Sequence, residues 1–180
     1  MKVLIIGDVM GKPGRDAMKE FLDKKKNDYD FVIVNGENAA AGFGITPKIA
    51  DEFFELGVDV ITSGNHIWDK KELYPYLDEN RNILRPLNYP KGVPGFGYTI
   101  KENGEGEKIA VINIQGRVFM PEVDSPFQRI EEAIEEIKKE TKNIIVDFHA
   151  EATSEKLAMG WYLDGRVSTV YGTHTHVQTA

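Results

Sequence analysis

Side chains that can bind metals or transfer protons lie directly after short apolar segments of this sequence. The histidines of the chain all occupy such positions: His66, His149, His174 and His176. Two more apolar segments, VLIIG and FVIVNG, are followed by acidic or amide residues: Asp8, Glu37 and Asn38. Because the carboxyl ends of strands form the ligand-binding edge of an open α/β sheet, a site is predicted where these residues meet.

The residue types indicate that this site binds metal. His174 and His176 are two positions apart, so an extended backbone would direct both imidazoles to one side. Taken alone, the other residues have structural alternatives, such as helix capping by Asp8. Six equivalent positions together favour metal binding: Asp8, Glu37, Asn65, His149, His174 and His176. This mixture of nitrogen and oxygen ligands suits iron, manganese or zinc, and its size favours two ions about 3.5–4 Å apart over one.

The elements that must position these residues alternate between strand and helix. Strands are predicted at 3–6, 31–34, 60–62, 143–148 and 167–171, with a weaker one at 83–84 and a hairpin formed by 95–100 and 109–114. Helices are predicted at 15–26, 47–57, 70–77, 126–139 and 153–159. The alternation favours mostly parallel βαβ units. Within the strand at 143–148, the alternation of side chains places Asp147 on the same face as His149, where one can orient the other.

Composition narrows the classes of protein. A length of 180 residues fits one domain over 1–180. The net charge of −7 argues against a broad nucleic-acid surface, which would be basic, although metal ions would still attract a small anionic substrate. The absence of cysteine excludes disulfides and thiolate metal sites. No apolar segment approaches the roughly 18 residues of a membrane span, and the N-terminal segment is interpreted as a strand, so a cytoplasmic protein is predicted.

Five segments together resemble one protein family. GDVMGKPGR, NGENAAAGFGIT, TSGNHIWD, DFHAEATSEK and GTHTHVQT are similar to the motifs of the YmdB-like branch of the calcineurin-like metallophosphoesterases, and the resemblance extends over essentially the whole chain. It implies an α/β fold, the metallophosphoesterase-type β-sheet sandwich flanked by helices (α-β-β-α), with mixed sheets and mostly parallel central strands. Chains of this family normally continue further, so we expect the C-terminal part of the sandwich to be missing from this sequence.

Two positions depart from the general superfamily pattern. The usual Asp-x-His of the first motif is Asp8-Val9-Met10 here, and Glu37 replaces the usual bridging aspartate. Both changes are typical of the YmdB-like branch. They suggest that Asn38 takes up part of the role of the missing histidine.

The resemblance also implies a role for each site residue. Asp8, Glu37 and His176 would hold one metal ion, with Asn38 nearby. Glu37 would bridge to a second ion held also by Asn65, His149 and His174. The cofactors would be two divalent or trivalent ions, with iron or manganese favoured and zinc as the alternative. A hydroxide bridging the ions would attack phosphorus, and His66 would act as general acid on the leaving oxygen.

The implied substrates are phosphodiesters, in particular 2′,3′-cyclic nucleotides. Phe43, Trp68 and Phe119 are interpreted as loop aromatics that either stack on a base or pack in the core. Arg15, with Lys12, lies near the start of the first helix and would either attract phosphate or form a solvated basic turn. RNA fragments as substrates and a homo-oligomeric state both stay open.

Two other functions remain as alternatives. Another binuclear metal hydrolase, such as an amidohydrolase, would more often carry its HxH motif early, whereas here it comes last. A non-catalytic regulatory protein that binds metal or nucleotide would not need His66 beside Asn65.

Overall fold

Two β-sheets face each other and carry helices on their outer surfaces in the computed structural model, which describes residues 1–179. The first sheet has the order β1-β2-β3 and is parallel throughout: β1 Val3–Ile6, β2 Phe31–Asn35 and β3 Val60–Thr62. The second sheet has the order β4-β5-β6-β7: β4 Tyr98–Glu102, β5 Lys108–Gln115, β6 Ile144–His149 and β7 Thr169–Thr173. Only β4 runs antiparallel to its neighbour. The helices are α1 Gly11–Lys25, α2 Pro47–Glu55, α3 Leu73–Glu79, α4 Pro126–Ile137 and α5 Thr153–Leu163.

The apolar side chains form three layers because neighbouring strand residues point to opposite faces. Val32 and Val34 of β2 pack with residues of α1, α2 and α3 on the outside of the first sheet. The corresponding outer layer of the second sheet packs against α4 and α5. A third cluster, which includes Phe31, Ile33 and Ile145, lies between the two sheets. This arrangement confirms the predicted α-β-β-α sandwich.

The inner face of each sheet changes from apolar to polar toward the carboxyl ends of its strands. In β2 the inward series is Phe31, Ile33 and Asn35, and in β6 it is Ile145, Asp147 and His149. All of these residues are buried. The polar ends of the two sheets therefore meet inside the protein, at the edge where the sequence predicts the site.

Several predicted boundaries were wrong. Helix α1 begins at Gly11 rather than at residue 15, because a proline in the first helical turn lacks an N–H that would have no partner there anyway. Strand β7 lies two residues later than predicted and so includes Thr173. Residues 83 and 84 form only isolated bridges. Within residues 1–179, no helix combines the length and the apolar character needed to cross a bilayer.

The side chains between the two sheets are closely packed, so shortening one of them should lower the free energy of unfolding substantially. Ile33→Ala removes a fully buried side chain and should lower the free energy of unfolding by about 2–5 kcal/mol, since it leaves a cavity. Leu157→Ala, at a half-exposed position of α5, is the control and should change it by less than about 0.5 kcal/mol. Urea unfolding followed by circular dichroism measures both. Equal losses in the two variants would contradict the assignment of the core.

Candidate metal centre

Three potential ligand atoms surround Nε2 of His149. Glu37 Oε1 lies 3.2 Å from this nitrogen, Asn65 Oδ1 3.2 Å and His174 Nδ1 3.1 Å. His149 is the last residue of β6, and the other three follow the ends of β2, β3 and β7. His149 and Glu37 are 0% and 1% exposed. Four strand ends thus bring nitrogen and oxygen ligands to one buried point.

The hydrogen-bonding chemistry of this cluster suits a cation. The carboxylate of Glu37 and the amide oxygen of Asn65 only accept hydrogen bonds. His174 Nε2 lies 3.0 Å from the carboxylate of Glu151, so donation there leaves its Nδ1 with a lone pair. At most one hydrogen can therefore lie among these atoms, and with none on His149 Nε2 all four atoms present lone pairs. A metal ion can accept all four lone pairs at once, so these residues fit such an ion.

The close contacts in this cluster shift the pKa values of its titratable groups. Burial alone would raise the pKa of Glu37 and lower that of His149. Their mutual hydrogen bond and opposite charges outweigh burial, so the pKa of Glu37 is lowered and the pKa of His149 is raised. The pKa of His174 is lowered by burial and by the charge of His149. Glu37 and His149 therefore each favour the charged form of the other.

Gly64 gives this cluster its space. A Cβ atom at residue 64 would lie 2.2 Å from Glu37 Oε2 and 2.2 Å from His149 Nε2. Any side chain at this position would therefore occupy the point on which the ligand atoms converge. This contact gives a physical reason for glycine in the GNH segment.

A second cluster lies beside the first. Asn38 Oδ1 is 3.1 Å from His176 Nε2, and the Asn38 amide is oriented by donating from Nδ2 to the carbonyl of Gly42 at 2.9 Å. Asp8 accepts a hydrogen bond from the backbone N–H of His174 at 3.1 Å, and its carboxylate is 4.0 Å from His149 Nδ1. Asp8 and His176 line the same cavity.

The expected extended geometry of the HTH segment was wrong. His174 and His176 have φ values of 91° and 57°, in the left-handed region that non-glycine residues rarely adopt. The bend sends His174 to the first cluster and His176 to the second. Strained backbone of this kind is concentrated at functional sites.

His66 belongs to neither cluster. Its backbone N–H donates to Glu37 Oε2 at 3.3 Å, while its side-chain Nδ1 lies 2.8 Å from a carboxylate oxygen of Asp69. The imidazole is 27% exposed and lies edge-on to the ring of Phe43, with 5.1 Å between ring centroids. Asp69 did not emerge from the sequence, although its spacing of three residues from His66 suits contact within one helical turn.

The residues predicted to contact substrate lie in different surroundings. Phe43 is 57% exposed beside His66, and Phe119 is also exposed. Trp68 packs edge-on against Tyr74 and Tyr89, which favours its packing role. Arg15 donates a hydrogen bond to the carbonyl of Ala39 and so supports the loop that carries Phe43.

A buried polar group behind the ligands completes the site. The Asp147 carboxylate accepts hydrogen bonds from Thr62 Oγ1 at 2.5 Å, Thr173 Oγ1 at 2.6 Å and Asn35 Nδ2 at 2.9 Å. Burial raises the pKa of Asp147 to about 6, and the hydrogen bonds oppose that rise. The predicted shared face of Asp147 and His149 is confirmed, but no residue pattern indicated that Thr173 lies between them.

Comparison with known proteins shows which family this chain resembles. The model of the YmdB-like protein family matches residues 4–180. The chain is 56% identical to a 2′,3′-cyclic-nucleotide 2′-phosphodiesterase of Bacillus subtilis, covering 100% of this chain and 69% of that protein. It is 39% identical to a putative phosphatase/phosphodiesterase of Mycoplasma pneumoniae, covering 100% of this chain and 66% of that protein.

Two solved structures are similar to this chain over nearly its whole length. A hypothetical protein from Thermus thermophilus superposes with a TM-score of 0.93 at 47% identity, covering 99% of this chain and 69% of that one. A novel phosphatase from Mycoplasma pneumoniae superposes with a TM-score of 0.89 at 38% identity, covering 100% of this chain and 66% of that one. The chain thus spans about two thirds of the length of these proteins. The predicted family and the predicted enzyme class, a phosphoesterase hydrolase, are confirmed, and the chain belongs to the YmdB-like protein family.

Proposed function

We propose that this chain is a phosphodiesterase that binds two metal ions and hydrolyses 2′,3′-cyclic nucleotides. The observation that carries the proposal is the convergence of Glu37, Asn65 and His174 on Nε2 of His149. The Bacillus subtilis relative, named as a 2′,3′-cyclic-nucleotide 2′-phosphodiesterase, supports the substrate class.

The ligands divide between two neighbouring positions. One ion would be held by Glu37, Asn65, His149 and His174, and the other by Asp8, Glu37, Asn38 and His176. Glu37 and Asn38 are adjacent in sequence but reach different clusters, through His149 and His176 respectively. This divergence supports two sites, while the role of Glu37 as the shared ligand is what the family resemblance implies. When bound, the ions would activate a water molecule and neutralise charge on the phosphoryl oxygens.

His66 is the residue we propose as general acid. Its contact with Asp69 occupies Nδ1, which leaves Nε2 to carry the proton that is transferred. The same contact with Asp69 fixes the orientation of the imidazole. The ring is partly exposed, so substrate can reach it.

Phe43 is the aromatic residue best placed to contact a base, because it is exposed and adjacent to His66. Arg15 stays a proposed phosphate contact, alongside its hydrogen bond to Ala39. Iron or manganese as the native metal, RNA fragments as further substrates, a homo-oligomer and a cytoplasmic location all stay predictions.

If His66 is the general acid, the loss of activity on its removal should depend on the leaving group of the substrate. His66→Ala should lower kcat for a 2′,3′-cyclic nucleotide about 10²–10⁴-fold, because the ribose oxygen needs a proton as it departs. The same variant should lose far less on bis-p-nitrophenyl phosphate, whose phenolate departs without one. Steady-state assays with Mn²⁺, together with metal content per chain, measure both. His176→Ala, a ligand variant, is the control and should lower both activities together.

Equal losses of His66→Ala on the two substrates would disprove the acid role. Full metal loading without diesterase activity in the wild type would instead favour a regulatory metal-binding protein.

The position of Gly64 against Glu37 and His149 leads to a second prediction, which concerns metal binding. Gly64→Ala should abolish binding of one metal ion, because the added methyl group would overlap Glu37 and His149. Gly160→Ala in α5 is the matched control, since a Cβ there meets no atom within 4 Å. Calorimetric titration with Mn²⁺ measures both, with thermal melts to verify folding. Two ions bound by folded Gly64→Ala with wild-type affinity would refute this ligand arrangement.

A further inference from the structure

We propose that Thr173, held by Asp147, is a positioning residue that fixes His149 in the Nδ1–H tautomer and so directs the Nε2 lone pair toward the ligand cluster. The consequence for metal affinity rests on the proposed function, whereas the tautomer itself does not.

The first step is the position of the hydrogen on Thr173. Asp147 lies in β6 and is fully buried, and both of its carboxylate oxygens accept hydrogen bonds. Its Oδ1 is 2.6 Å from Thr173 Oγ1, while Oδ2 receives Thr62 and Asn35. A threonine hydroxyl has a single hydrogen. Thr173 donates that hydrogen to Asp147, and its oxygen can then only accept.

The second step is the position of the hydrogen on the His149 ring. Its Nδ1 lies 2.9 Å from Thr173 Oγ1. Because this oxygen can only accept, the hydrogen of the contact must sit on Nδ1. In the neutral imidazole Nε2 is then unprotonated, and this is the atom that faces Glu37, Asn65 and His174.

The backbone makes this chain of hydrogen bonds rigid. His149 and Thr173 are register partners on the neighbouring parallel strands β6 and β7. Thr173 is 3% exposed, so its hydroxyl is shielded from bulk solvent. A partner of this kind sets the tautomer and orientation of a ligating histidine, and its loss typically lowers metal affinity about 10–100-fold.

Thr62 provides a matched comparison within the same network. It donates to the same carboxylate at 2.5 Å and is equally buried, but it is no partner of His149. Thr62→Val and Thr173→Val therefore each remove one hydroxyl donor from Asp147. Only Thr173→Val removes the acceptor for His149.

The experiment compares wild type, Thr173→Val, Thr173→Ser and Thr62→Val. In metal-free protein with ¹⁵N-labelled histidine, long-range ¹H–¹⁵N spectra recorded where the ring is neutral identify the tautomer of His149. We expect the Nδ1–H form in wild type, Thr173→Ser and Thr62→Val, and a shift toward Nε2–H in Thr173→Val. Chelator competition with Mn²⁺ should show a loss of affinity of about 10–100-fold in Thr173→Val, recovered by the serine that restores the hydroxyl.

An Nε2–H tautomer in the wild type would overturn the proposal, and this result requires no variant to fold. Equal loss of affinity in Thr62→Val and Thr173→Val would also overturn it, since it would indicate a purely structural network. A wild type that keeps the Nδ1–H tautomer but binds no Mn²⁺ would support the positioning of His149 while rejecting the proposed metal function.

Discussion

The buried carboxylate of Asp147 is the group that joins the two sheets behind the site. It receives hydrogen bonds from Asn35 and Thr62 of the first sheet and from Thr173 of the second. A carboxylate in the interior loses its hydration, so it is tolerated only where donors replace the water. Three donors do so here. The relative position of the strand ends is therefore coupled to the position of Asp147. The candidate ligands Glu37, Asn65 and His174 follow these ends by one to three residues, so their positions depend on the same contacts.

The need of the Asp147 carboxylate for hydrogen-bond donors is met at one end of the space between the sheets, and the candidate site lies at that end. Apolar residues such as Ile33 and Ile145 fill the middle of this space, and the network of Asp147 follows them. The ligand cluster around His149 comes next along the strands. The polar network thus lies between the packed apolar core and the candidate ligands. Precise placement of this kind matters because a metal site depends on both the distance and the direction of every lone pair.

The sequence predicted most of the residues that meet at the candidate site, because strand ends are visible as apolar segments that stop at polar residues. The parallel order of those strands then brings Glu37, His149 and His174 together, and the family motifs add the two-ion assignment. The remaining features depend on tertiary contacts that no local pattern encodes. The left-handed bends at His174 and His176 separate two histidines that an extended chain would keep together. Thr173 became significant only because β7 continues two residues beyond its predicted end and places this hydroxyl beside Asp147.

We propose that the two neighbouring clusters each hold one metal ion, with Glu37 as the shared ligand. Crystals grown with Mn²⁺ and measured at the manganese absorption edge test it most directly, because anomalous scattering locates each ion independently of any assay. We expect two peaks about 3.5–4 Å apart, one beside His149 Nε2 and one beside Asn38 and His176. A single peak, or peaks away from these side chains, would contradict it.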